Sequence, residues 1–391
     1  MPSSDSTASG RRLDYLDWLR IIAVALLLPY HTARVFDVFN TFYIKNAVLS
    51  DQLSAIVAFL DLWQMPILFV LAGAATSLAL TKRSGSQYLV ERMRRLVLPF
   101  VFGLLVIVPP QAYLARMTHS DYTGSFFQFY PTFLQIQPND LSGYYGTFTP
   151  GHLWFILFLA VFSIVALPLF LGLRSKRGVA ILARVSGSAR DAGWILGPVL
   201  LLGLTGLLPD LGGKNPFYYI LLFIGGYLVI ADTRLMSVIE RRPRWTLALA
   251  LSAGAGILAT IAFGVTPAKF SAMDIGLWIA RCGTAWWGSL ALIAMARRHL
   301  NVSGPVLRYA REASYPVYIL HQTVIVVIAY FVVAWPAGMT MKYLAILIAA
   351  SAGTLLIYEF LIRRLNLLRF LFGMKPISKS QPDRVQLRPA A

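Results

Sequence analysis

A single cysteine, Cys282, is all the chain contains. No disulfide forms within it, and the position of Cys282 inside an apolar run assigns it no redox role. Acidic residues are scarce, 17 against 35 lysines and arginines in 391 residues. Charge of either sign amounts to 13%, about half the share in a soluble domain. No Walker loop, dinucleotide glycine fingerprint or His/Cys metal cluster occurs. The Gly-x-Ser-x-Gly elbow of serine hydrolases is also missing. P-loop nucleotide hydrolysis, dinucleotide redox chemistry, metal chemistry and serine-elbow hydrolysis thus have no support. No internal repeat is visible, so the inverted-repeat signature of many transporters is missing, and no stretch reads as a soluble domain.

Apolar length takes the place of these features. Hydrophobic residues make up 57% of the chain, and many runs reach the ~20 residues that cross a bilayer. Ten such runs are expected, at about 17–38, 53–81, 95–115, 152–173, 192–209, 216–232, 244–264, 271–296, 314–335 and 340–362. The fold class is therefore all-α, a polytopic bundle of about ten transmembrane helices. It divides into an N-terminal tail (1–16), a transmembrane domain (17–363) and a basic C-terminal tail (364–391), with 1–10 and 378–391 expected to be disordered. The net charge of +18 would suggest nucleic acid in a soluble protein. Here the bases sit in short segments between apolar runs, so no nucleic-acid partner is expected, only the lipid bilayer. Arg11 and Arg12, the stretch from Lys82 to Arg95, Arg174 to Arg190, Arg234 to Arg244 and Arg297 to Arg311 fall on one side. The alternate loops hold only Lys45, Arg116, Lys214, Lys269 and Lys342. This asymmetry predicts both termini in the cytoplasm. Pro29, Tyr30 and His31 stand where a small-x-small cleavage site would be needed, so the first run reads as a span, not a signal peptide.

Ionisable residues inside apolar helices carry a functional hypothesis by default. Arg20 and His31 are eleven residues apart. Eleven steps of about 100° return to the same helix face, after a rise of about 16 Å. One face of the first helix thus carries a cation near one surface and an imidazole beyond the midplane, with Arg34 and Asp37 close by. The alternative is a snorkelling arginine and a histidine bonded within the bundle. Pro29 frees the carbonyl of Ala25 and bends the helix before His31. Asp61 and Arg281, both near mid-depth, form an expected ion pair. Ala72-Gly73-Ala74-Ala75 reads as helix packing. Arg92 and Arg95, one turn apart, have the forked donors that suit phosphate, or are ordinary surface charge. His152 and Trp154 open the fourth run, and Tyr315 and His321 lie in the ninth. His119 and His299 are expected to do nothing specific, and Glu359 to balance Arg363 and Arg364.

These segments resemble the membrane acyltransferase-3 family. Its Arg-x10-His signature reads here from Arg20 to His31. Its "MP-x-FF-x-x-SG" segment reads Met65-Pro66-Ile67-Leu68-Phe69-Val70-Leu71-Ala72-Gly73, with Ala72 where serine is common. Arg92 with Arg95 ahead of Pro99, His152-Leu153-Trp154-Phe155, and Ser314-Tyr315 through His321 match three more. The Met-Pro segment and the absence of an extracellular domain are similar to the glucan biosynthesis protein C branch, whose members succinylate glucans. The resemblance implies a bacterial inner-membrane O-acyltransferase without a permanently bound cofactor. Acyl-CoA would be the cytoplasmic donor, and a carbohydrate or glycolipid hydroxyl on the opposite side the acceptor. It implies His31 as the catalytic base, and Arg92 and Arg95 as donor contacts. Arg20 would hold the donor or the charge developing along its path. Arg281 would stabilise an oxyanion or only neutralise Asp61, and His152, Trp154, Tyr315 and His321 would line the substrate site. A transporter or flippase for a sugar or lipid is the competing reading, and a membrane scaffold a third.

Overall fold

The computed structural model describes residues 13–39, 41–137, 140–188 and 191–377. The terminal tails expected to be disordered, and the cations Arg11, Arg12 and Arg190, lie outside the described residues. Among the described residues there is no β-strand, only an isolated bridge between Leu211 and Lys214. Eighteen α-helices follow one another: α1 (Asp14–Ala25), α2 (Leu27–Ala33), α3 (Asp51–Asp61), α4 (Gln64–Leu80), α5 (Gly85–Phe102), α6 (Val108–His119), α7 (Phe126–Phe133), α8 (Trp154–Val165), α9 (Leu167–Arg174), α10 (Lys176–Ser188), α11 (Asp191–Leu204), α12 (Pro216–Ala231), α13 (Thr233–Arg241), α14 (Pro243–Ala262), α15 (Ala272–His299), α16 (Pro305–Val332), α17 (Met339–Ile357) and α18 (Asn366–Leu371).

Six continuous stretches are long and apolar enough to cross a membrane: Asp14–Ala33, Asp51–Leu80, Gly85–His119, Pro243–Ala262, Pro305–Val332 and Met339–Ile362. Two bent pairs raise the number to eight, Gly151–Val165 with Leu167–Arg174 (46°) and Pro216–Ala231 with Thr233–Arg241 (95°). Among the described residues this gives six to eight spans by length and composition, where ten were expected. The run at 192–209 falls short because its apolar helix covers only Gly193–Leu207. The run at 271–296 lies in α15, which carries Asp274, Arg281, Arg297 and Arg298 and so lacks an uninterrupted apolar stretch.

Helix breaks fall where the backbone loses a donor or gains a cap. Pro29 has no N–H to give, and the first span is interrupted at Leu26, one turn ahead of it. Ser84 caps α5 and Ser125 caps α7, each in a reciprocal box with the glutamine three residues on. Pro109 cannot donate to the Leu105 carbonyl, and a π-helical segment, Gly103–Ile107, precedes it. The Tyr130 hydroxyl donates to that freed carbonyl at 2.8 Å.

α4 is apolar all round and almost wholly buried, as a central helix must be. α12 crosses it in backbone contact. A Cβ on Gly73 would stand 1.9 Å from the Phe223 carbonyl oxygen, and one on Gly226 would stand 1.9 Å from that of Val70. The small residues of α4 are helix packing, as the pattern suggested. α14 and α17 expose large apolar side chains such as Leu251, Ile348 and Leu356, a surface suited to lipid. Gly73→Ala and Gly226→Ala are each expected to destabilise the protein in detergent by about 1–3 kcal/mol, whereas Gly256→Ala, where a Cβ meets nothing within 4 Å, leaves the melting midpoint unchanged.

Candidate active site

Three histidines from distant segments meet in the interior. His31 and His321 have ring centroids 5.1 Å apart, and so do His321 and His152. His31 stands on α2, just past the interrupted turn. The Gln64 side chain donates to the Ala23 carbonyl at 2.9 Å, tying the end of α1 to the start of α4. The His31 ring stacks on Phe42 at 6.1 Å and meets the edge of Tyr30 at 4.9 Å. His119, expected to be idle, bonds the Phe42 carbonyl through Nε2 at 2.9 Å and so helps place that ring.

His152 sits on the 3-10 turn Gly151–Leu153, which opens the α8 segment. Gly151 takes φ +53°, and a Cβ there would lie 2.7 Å from Nε2 of Gln111, so both conformation and space call for glycine. Nε2 of His152 bonds the Ile319 carbonyl at 2.8 Å, and Nδ1 of His321 bonds the Tyr318 carbonyl at 2.7 Å. A carbonyl only accepts, so these nitrogens carry the protons in the neutral rings. The lone pairs then lie on Nδ1 of His152 and Nε2 of His321. Both atoms, and Nδ1 of His31, are buried without a hydrogen-bond partner. Buried polar atoms are nearly always bonded, so three free nitrogens in one cluster make it a candidate site. Tyr318 closes the frame by donating to the His152 carbonyl.

The histidines line a cavity of about 990 Å³. Asp61, Arg281 and Trp154 line it too, together with Arg34, Lys214, Tyr30, Tyr144 and Gln322. Arg281 donates to the Asp61 carboxylate at 2.7 Å and to its backbone carbonyl at 3.3 Å. Asp61 ends α3, and the break before Gln64 turns its carboxylate toward α15. Arg34 is bonded to Asp37 at 2.8 Å, and Asp37 also receives Lys45 at 2.8 Å. Asp140 ties the adjoining loop together by accepting from Ser142, Thr147 and the backbone of Tyr144 and Tyr145. Among the described residues no group of three or more His, Cys, Asp or Glu side chains is placed to hold a metal.

Arg20, Arg92, Arg95 and Tyr315 do not line this cavity. They lie toward the face that holds the first and last described residues. Arg20 pairs with Asp17 at 2.9 Å, and Arg311 reaches the same carboxylate at 3.4 Å. Arg95 pairs with Glu91 at 3.0 Å. Arg92 has no carboxylate partner among the described residues; it donates to Thr76 at 3.1 Å and lies over the Tyr88 ring. Tyr315 donates to the Arg95 carbonyl at 3.0 Å, which Pro99, one turn on, cannot satisfy. Tyr315, Tyr318 and His321 follow at intervals of three along α16. The arginine cluster and the histidine cluster are thus joined by two turns of one helix, a rise of about 9 Å.

The sequence pattern of the acyltransferase domain matches residues 13–359, a range that contains both clusters. The chain belongs to this acyltransferase family. Glucans biosynthesis protein C of Escherichia coli (strain SMS-3-5 / SECEC) is 21% identical over 406 residues, covering 97% of this chain and 99% of that protein. Its counterpart in Escherichia coli (strain K12) is similar to the same extent. No solved structure matches the chain.

Within the acyltransferase, sequence reasoning did not single out Lys214, Tyr30, Tyr144 or Asp140. For Asp140, Tyr144 and Lys214 the signal lay in turn residues: Gly143, Gly146, Gly212 and Gly213 all take positive φ and shape the loops that carry these side chains, whereas Tyr30 stands on α2 beside His31. For the Asp61–Arg281 pair, Asp61→Asn and Arg281→Met are each expected to destabilise the protein. The double variant should lose less than the sum, with a coupling of about 0.5–3 kcal/mol, measured as a double-mutant cycle on thermal unfolding in detergent.

Proposed function

We propose that this protein is a membrane O-acyltransferase that moves an acyl group of acetyl or succinyl type from cytoplasmic acyl-CoA to a hydroxyl of a glycan or glycolipid, with His31 as general base. The observation that carries the reading is the cavity in which His31, His152 and His321 present unpartnered nitrogens beside a fixed Arg281–Asp61 pair. A hydroxyl is a weak nucleophile until a base takes its proton, and neutral imidazole suits that task near pH 7. The acceptor oxygen attacks the thioester carbonyl carbon while its proton passes to His31. The C–S bond then breaks, and the departing thiolate receives that proton. Arg281 faces the cavity and is available to the oxyanion. The name of the Escherichia coli relatives favours a glucan acceptor.

Arg92, without a carboxylate partner, and Arg95 one turn away are assigned to the donor phosphates. Arg20, held by Asp17, stands on the same side. In this arrangement both termini and the arginine-rich face are cytoplasmic, and the cavity opens on the other side of a bacterial inner membrane. Ten crossings follow when Gly193–Leu207 and α15 are counted with the other eight. α15 has 28 residues, a length of about 42 Å, and its mid-helix charge is neutralised by Asp61.

The test is thioester loss and product formation by purified protein in detergent, with acetyl-CoA and succinyl-CoA and a soluble glucan. His31→Ala is expected to lower kcat by about 10²–10⁴-fold while eluting as a folded monodisperse species. Equal turnover in both proteins removes His31 from the mechanism, and no turnover by wild type with either donor turns the reading toward transport. Arg92→Ala is expected to raise KM for the acyl-CoA with a smaller change in kcat, and inhibition by added salt should be weaker in the variant than in wild type.

A further inference from the structure

Among the described residues, Lys214 is the one cation of the cavity wall that the charge pairing of the site does not use. Arg34 is bonded to Asp37 and Arg281 to Asp61. Among the described residues no carboxylate lies within ion-pair distance of the Lys214 ammonium. The ammonium lies over the Trp154 ring, whose centroid is 5.4 Å from Nζ. Burial holds this ammonium below the ordinary lysine value, opposed by the more distant carboxylates of Asp61 and Asp210 and reinforced by Arg281 and Arg34. A partly desolvated charge without a counterion is costly, and an anion entering the cavity removes that cost.

The chain places this lysine firmly. Leu211 and Lys214 exchange backbone hydrogen bonds at 2.8 and 3.1 Å across a tight turn. The two residues between them, Gly212 and Gly213, have φ +57° and +73°, the backbone of a type I′ turn that other residues resist. Asn215, next in line, donates to the Thr205 carbonyl at 2.7 Å and caps α12. The ammonium is therefore carried by a fixed turn, over an aromatic face, at the wall that also carries His31.

We propose that Lys214, with Trp154 beneath it, forms a carboxylate-binding subsite that selects substrates bearing a negative charge beside the reacting group. The proposal rests on the acyltransferase reading and names a specificity residue within it. The carboxylate has two sources, the far end of a dicarboxylic acyl group or a uronic acid unit of the acceptor. An ammonium suits either as a point charge, while the tryptophan face covers the apolar flank of a sugar or acyl chain.

Two measurements on the full-length protein in detergent decide it, comparing wild type, Lys214→Met and Lys214→Arg. The first is the ratio of kcat/KM for succinyl-CoA to that for acetyl-CoA with a neutral glucan. The second is calorimetric titration with succinate, with an oligoglucuronate and with a neutral oligoglucan, which requires no turnover. An acyl-borne carboxylate predicts that Lys214→Met lowers the succinyl-to-acetyl ratio about tenfold and weakens succinate binding, with Lys214→Arg restoring much of both. An acceptor-borne carboxylate predicts an unchanged ratio and oligoglucuronate binding about tenfold weaker, with neutral oligoglucan affinity unaltered. If Lys214→Met elutes as wild type and neither ratio nor carboxylate affinity changes, the subsite does not exist. If wild type turns over neither donor, the acyltransferase reading fails separately, and the titrations still judge Lys214.

Discussion

A charge carried into an apolar layer has to be met by another group of the same chain, because no water is there to meet it. That requirement organises this molecule. Asp61 and Arg281 come from helices 220 residues apart in sequence and meet at 2.7 Å, bringing α3 against α15. Arg34, Asp37 and Lys45 form a second balanced set where the chain leaves α2. Arg20, Asp17 and Arg311 make a third, which brings α1 to the start of α16. Each set holds segments together that apolar packing alone would leave free to slide.

The same requirement extends to the backbone. Prolines inside helices remove donors, and the carbonyls they free are met by side chains from elsewhere: Leu105 by Tyr130, and Arg95 by Tyr315. His152 and His321 are held by carbonyls of α16, which also decide where their protons sit. Among the described residues, three of the buried side-chain nitrogens left without a hydrogen bond belong to the histidine cluster, and the Lys214 ammonium on the same cavity wall has no carboxylate within ion-pair distance. A bundle that pairs charges this consistently elsewhere holds those groups unpaired at the cost of its own stability, as binding sites commonly do.

Under the proposed reading, the two clusters divide the tasks of a transfer across an apolar barrier. Arginines gather on the face of the described termini, and histidines line a chamber about 9 Å further along α16. Between them run Tyr315 and Tyr318, each fixed by a carbonyl. This arrangement suits a donor that arrives at one surface and an acceptor that enters from the other, with only the acyl group required to reach both.

The sequence alone determined the all-helical bundle, because a run of about 20 apolar residues has few other ways to satisfy its backbone. It also determined the pairing of Asp61 with Arg281 and the family, whose motifs lie in order along the chain. The ten runs it marked include one that bends after Ala231 and one, in α15, that carries charge, which length and composition alone do not count as continuous spans. Only tertiary structure decided which residues share a cavity. Tyr315 and His321 lie six residues apart on one helix, yet one braces the arginine cluster and the other meets His31. Lys214 looked like a loop cation, and a glycine turn carries it to the wall beside Trp154. The reason is physical: periodicity fixes which face of a helix a residue occupies, while the partner of that face comes from helices hundreds of residues away, placed by packing that no local pattern records.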